Sequence, residues 1–148
     1  MFGEIKKLFA SKSEEKPAEG DDKIVSIAAL LVEAAVADEH YAANERSVIA
    51  RLLVSEFNVD EGAVSGILIK AEARQKDSVD LYRFIKDAKT LSADDKIILV
   101  ESLWRVILSD GEKDAYEDML VRRVCGLIHV TDVESGLARQ RVQAALSR

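Results

Sequence analysis

The stretch Ser109-Asp110-Gly111-Glu112-Lys113-Asp114-Ala115-Tyr116-Glu117-Asp118 places five carboxylates within ten residues. Oxygen-rich turns suit hard cations: Ca²⁺ takes roughly six to eight oxygens, and Mg²⁺ a few carboxylates plus water. A second acidic stretch lies upstream, Ala37-Asp38-Glu39-His40-Tyr41-Ala42-Ala43-Asn44-Glu45-Arg46. Asp38 maps on Asp110 and Glu45 on Glu117, at a common offset of 72 residues. The candidate metal ligands are therefore Asp38, Glu45, Asp110 and Glu117, with Glu112 and Asp114 supplying further oxygens. Crowded carboxylates repel each other, and a bound cation relieves that repulsion. This is no EF-hand. Counted from Asp110, position six is Ala115 rather than Gly, and position twelve is Val121 rather than Glu. A reading without metal also stands. Asp114-Ala115-Tyr116-Glu117 is an Asp-headed capping box, Asp-Gly is ordinary turn chemistry, and first-turn acids complement a helix dipole. Against it, Ala42 occupies the place matched to Asp114 and cannot cap, yet Glu45 is present.

Both acidic stretches sit between helical patterns. Lys23 to Ala37 is apolar on almost every side, which marks a central, buried helix. A second helix is expected from about Asn44 to Phe57, with Ile49, Leu52, Leu53 and Phe57 at helical spacing. Asp60 offers an N-cap for a third, which runs to about Arg74 and buries Val64, Ile67, Leu68 and Ala71. A short helix, Val79 to Lys89, follows a cap at Asp77 or Ser78. Ser92-Ala93-Asp94-Asp95 resembles a capping box and opens a long apolar helix that ends at Leu108. About Ala115 to Ile128 is the next helix. Thr131-Asp132-Val133-Glu134 is a full capping box for a last one, reaching Ala145 or so. No segment alternates with period two. The expected fold is all-α: a compact bundle of about seven helices, built as two three-helix halves plus a connecting helix. The halves form an internal pseudo-twofold repeat, with the two all-round apolar helices packed against each other at the centre.

The 148 residues suffice for one domain with its own core. Met1 to Ala10 is a short amphipathic segment, read either as a weak membrane or partner anchor or as a terminal helix without function. Residues 11–22 are rich in polar residues, hold the one proline, and read as a flexible linker. The domain then covers 23–148. A net charge of −6 argues against nucleic acid as a partner, because neutralising phosphates needs clustered Lys and Arg. A single cysteine precludes an intramolecular disulfide. The longest mostly apolar run, Ile24 to Ala37, is 14 residues with Glu33 inside it, too short to span a bilayer. The N-terminus lacks the features of a secretory signal. The expected location is the cytoplasm, with peripheral attachment to the inner membrane through residues 1–10 as the variant.

The apolar helix, acidic turn and helix-opening Glu occur twice. They are carried by Leu31-Val32-Glu33-Ala34-Ala35-Val36-Ala37-Asp38 with Glu45-Arg46, and by Leu103-Trp104-Arg105-Val106-Ile107-Leu108-Ser109-Asp110-Gly111-Glu112 with Tyr116-Glu117. This pattern resembles the TerB-like tellurite-resistance family over about residues 24–146. The resemblance implies an all-helical, internally symmetric fold and acidic residues proposed to bind divalent metal. It implies a part in stress or metal-response assemblies and no known catalytic reaction. Related domains occur in membrane-attached co-chaperones, so a metal-free docking module for a protein partner is the alternative. The family's acidic positions fall here on Asp38, Glu45, Asp110, Glu112 and Glu117. Glu39-His40 departs from the usual Gly-Glu.

Other residues offer less. His40 and His129 are the only histidines, and neither belongs to a Glu-x-x-His or His-Glu-x-x-His signature. His40 reads as a further ligand or, more simply, as a solvated turn residue, and His129 as a helix-end or core residue. Cys125 reads as an inert core thiol and Trp104 as core. Residues 47–70 mimic a helix-turn-helix, but the second helix opens on Glu61, Gly62, Ser65 and Gly66 with almost no cations. Arg122, Arg123, Arg139 and Arg141 form a late basic tendency, read as solvated faces.

Overall fold

The computed structural model describes residues 17–36, 43–77, 81–109 and 115–147, with side chains described from residue 22 onward except 115–118. These residues form seven α-helices and no strand: α1 (Pro17–Val36), α2 (Ala43–Phe57), α3 (Val64–Asp77), α4 (Tyr82–Ala88), α5 (Ala93–Leu108), α6 (Ala115–Ile128) and α7 (Asp132–Leu146). Among the described residues, no helix is long and apolar enough to cross a membrane.

The all-round apolar sequence of α1 has the expected outcome. Ile24, Val25, Ile27, Ala28, Ala29, Leu30, Leu31, Val32, Ala34 and Ala35 are all within 1% of complete burial. A helix can bury every face only if neighbours surround it, and α1 packs on α2, α3, α4 and α5. Its polar residues are accommodated individually. Ser26 donates a hydrogen bond to Asp87, at the end of α4, at 2.5 Å. Glu33 accepts one from Gln75 of α3. The second hub is α5, which packs on α1, α2, α6 and α7 and buries Leu99, Val100, Leu103, Val106 and Ile107. The two apolar helices therefore meet at the centre of the bundle, as their composition requires.

Helix ends follow local chemistry. Ser92 accepts a bond from the Asp95 N–H at 3.1 Å and starts α5. Thr131 and Glu134 exchange both bonds of the capping box at the head of α7. The helices α2 and α6 end on left-handed residues, Asn58 (φ 57°) and His129 (φ 67°). Polar residues of this kind are the ones that tolerate the left-handed region when glycine is absent. Each is followed by a buried valine, Val59 and Val130, whose N–H reaches back to a helical carbonyl, of Leu53 at 3.0 Å and of Cys125 at 2.9 Å.

Three expected boundaries shift. The first helix starts at Pro17, not near Lys23, so residues 17–22 belong to it. Proline fits the first helical position, where its fixed φ suits the helix and its missing N–H is not needed. Asp60 heads α3 as expected, its carboxylate accepting from the Gly62 N–H at 3.1 Å and its carbonyl from the Ala63 and Val64 N–H groups at 2.9 and 3.1 Å, but residues 61–63 form a turn and the regular helix begins only at Val64. Asp77 closes α3 instead of capping α4; the N-cap of α4 is Leu81, which has no side-chain cap bond. Ser78 lies outside the described residues.

Candidate functional site

The two acidic connections leave the two hub helices. Residues 37–42 join α1 to α2, and residues 109–114 join α5 to α6. Ser109 terminates α5, its hydroxyl donating to the Val106 carbonyl at 2.8 Å. Asp38, His40, Asp110, Glu112 and Asp114 lie outside the described residues. Glu45 and Glu117 are each the third residue of their helix, α2 and α6. Backbone N–H groups without intrahelical partners and the positive end of the helix dipole favour a carboxylate at that position. The Glu117 side chain is also outside the described ones.

Glu45 is therefore the one predicted ligand with a described side chain. It is only 5% exposed, and it is engaged in an interaction, not free. The sequence alone left this burial unread, because a first-turn acid more often faces water. Asp95, whose place in the sequence suggests only the acidic end of a cap, is a second buried carboxylate, fully enclosed at the third position of α5. Among the described residues, no three His, Cys, Asp or Glu side chains come together in a group that could hold a metal ion. The donor set otherwise fits a hard cation in chemistry, since Asp38, Glu45, Asp110, Glu112, Asp114 and Glu117 offer oxygens only.

The remaining candidates fall into place. His129 is the exposed left-handed residue that ends α6, a helix-end role. Cys125 is 1% exposed, and burial pushes its thiol above the ordinary range; the Ser135 hydroxyl opposes this, while Asp132 and Glu134 add to it. Trp104 is core, and its indole N–H donates to the Ser135 hydroxyl at 3.3 Å. Of the late arginines, Arg139 is half-buried, while Arg122, Arg123 and Arg141 are exposed. Arg141 donates to Glu101 of α5 at 2.6 Å, and the Arg139 guanidinium lies over the Trp104 ring, 5.0 Å from its centroid. Neither contact could be read from spacing, since each depends on how α7 lies against α5.

Helices surrounding two packed apolar hubs, each hub leading into a connection whose sequence is acidic, define an all-α bundle. The chain belongs to the TerB family: residues 25–140 match the family described as tellurite resistance protein TerB. No curated protein and no solved structure matches the chain significantly.

Proposed function

We propose that this chain is a non-catalytic TerB-family domain that takes up a divalent cation, Ca²⁺ or Mg²⁺, on the acidic connections leaving α1 and α5, and that it acts in the response to tellurite or metal stress. The observation that carries this reading is the matched placement of Glu45 and Glu117. Each is the third residue of the helix that follows an acidic connection, and Glu45 is almost enclosed. Glu45 already has a partner in the structure, and a cation would add to it. Asp38 in one connection, and Asp110, Glu112 and Asp114 in the other, would supply the remaining oxygens. When bound, the cation would neutralise these carboxylates and tie each hub to the helix that follows it.

The same reading treats the chain as two related halves joined by α4. Its support is the parallel packing of α1 on α2 and α3, and of α5 on α6 and α7. The left-handed ends at Asn58 and His129, each before a buried valine, add to it.

The test is thermal unfolding of the full chain in excess EDTA, then in excess Ca²⁺ and separately Mg²⁺, at matched ionic strength. A ligand at 100 times its dissociation constant that binds only the folded state adds ~2.7 kcal/mol. The expected result is a rise in Tm with one ion, lost in Asp110→Asn and in Glu117→Gln. Failure of both ions to raise Tm would refute cation binding for these metals. A metal-free docking module for a protein partner is the second reading. It is favoured by the exposure of Val133 (73%) and Leu137 (48%), one turn apart on α7.

A further inference from the structure

We propose that a pocket between α5, α6 and α7 is a binding site for a small oxyanion, a carboxylate or phosphate group held by Arg139 and Arg122. The pocket has a volume of about 230 Å³ and is separate from the acidic connections in sequence. Its lining includes Trp104 of α5, Val121 and Arg122 of α6, and Asp132, Ser135 and Arg139 of α7.

Four observations converge on this pocket. First, the Arg139 guanidinium lies over the Trp104 ring, 5.0 Å from its centroid, a cation–π contact that restrains its position. Second, the Arg139 Nε is buried, whereas Arg139 as a residue is only half-buried and lines the pocket, so a ligand there meets its terminal Nη groups. Third, Trp104 is itself held by its hydrogen bond to Ser135, so the platform under the guanidinium is fixed. Fourth, Arg122 is exposed on the same pocket and enters no described ion pair, leaving a second cation for the same ligand.

The charge of the lining sets the ligand class. Among the described lining residues two arginines stand against one carboxylate, Asp132, an excess of one positive charge. A single carboxylate or a monoanionic phosphate balances it. An oxyanion bridging the two terminal Nη groups of Arg139 makes a paired, charge-assisted contact of the kind guanidinium favours. The volume leaves room for a small organic body beside Val121.

Trp104 is the only tryptophan of the chain, so its emission reports directly on the guanidinium above it. The experiment titrates the full-length protein with inorganic phosphate and, separately, with acetate, holding ionic strength constant with chloride. Saturation with one of them is expected, and which one saturates identifies the oxyanion. Loss of the charged contact should weaken binding about 10- to 150-fold in Arg139→Gln. Arg122→Gln, which leaves the stacked pair untouched, should weaken it as well. Asp132→Asn removes the opposing charge and should tighten binding up to about 5-fold. Circular dichroism and Tm establish that each variant is folded. A response linear in both anions overturns the proposal. So does a saturable response that Arg122→Gln and Asp132→Asn leave unchanged.

Discussion

Replacing Ser135 by alanine tests the most specific contact of the second hub. Ser135 is 8% exposed, Trp104 5%, and the hydroxyl accepts the indole N–H at 3.3 Å. The substitution removes that acceptor and leaves the indole N–H without its serine partner, at a cost of about 1–3 kcal/mol. Alanine is the better helix former by about 0.5 kcal/mol, which offsets part of the loss. The net expectation is a destabilisation of roughly 0.5–2.5 kcal/mol. With an unfolding entropy of about 2.1 cal/mol/K per residue, 1 kcal/mol corresponds to about 3–4 °C in a domain of this size, so Tm should fall by about 2–9 °C. Scanning calorimetry reads this directly. The control is Trp104→Phe, which removes the donor. In that background Ser135→Ala should cost clearly less, because only the Ser135–Cys125 contact and the propensity gain remain. An unchanged Tm in the single variant would refute the reasoning. So would an equal loss in both backgrounds, since the hydroxyl would then act on something other than the indole.

Two further outcomes are expected. The capping-box bonds from the Thr131 backbone and then its hydroxyl hold the Glu134 carboxyl below its ordinary range, so its contribution is fully present above the unfolded value and lost as pH falls through the folded one. Glu134→Gln should accordingly be less stable than the parent at neutral pH and equal to it in acid, as denaturant titrations across pH 2–7 will show. His129 holds a left-handed backbone at an exposed position, so His129→Gly should stabilise by about 1 kcal/mol in urea unfolding; Asn58→Gly should gain less, because Asn already tolerates that conformation.

Much of the fold was readable because several sequence signals agree. The uninterrupted apolar run of α1 leaves no face for water, and Ser92 and Thr131 are side chains that start helices by their own bonds. Where one residue type serves two purposes, the boundary is less legible. Asp60 does head the way into α3, its carboxylate meeting the Gly62 N–H and its carbonyl the Ala63 and Val64 N–H groups, but the regular helix begins only at Val64. Proline at 17 reads equally as a linker residue and as a helix opener. The candidate site divides in the same way. The position of Glu45 in the first turn of α2 followed from spacing, whereas its burial follows from packing. Arg139 looked like any exposed arginine until α7 was laid on α5 and brought Trp104 beneath it.

The enclosure of α1 also bears on how the chain is made. A helix covered on every side is, before its neighbours exist, a sticky rod. Its covering includes α5, which begins at Ala93, well after α1 ends at Val36. At translation rates of roughly 5–20 residues per second, α1 waits about 3–11 s for that partner to be synthesised. During that interval its apolar surface is shielded only by α2, α3 and α4, so the nascent chain has a built-in window of vulnerability to aggregation that closes when the second hub arrives.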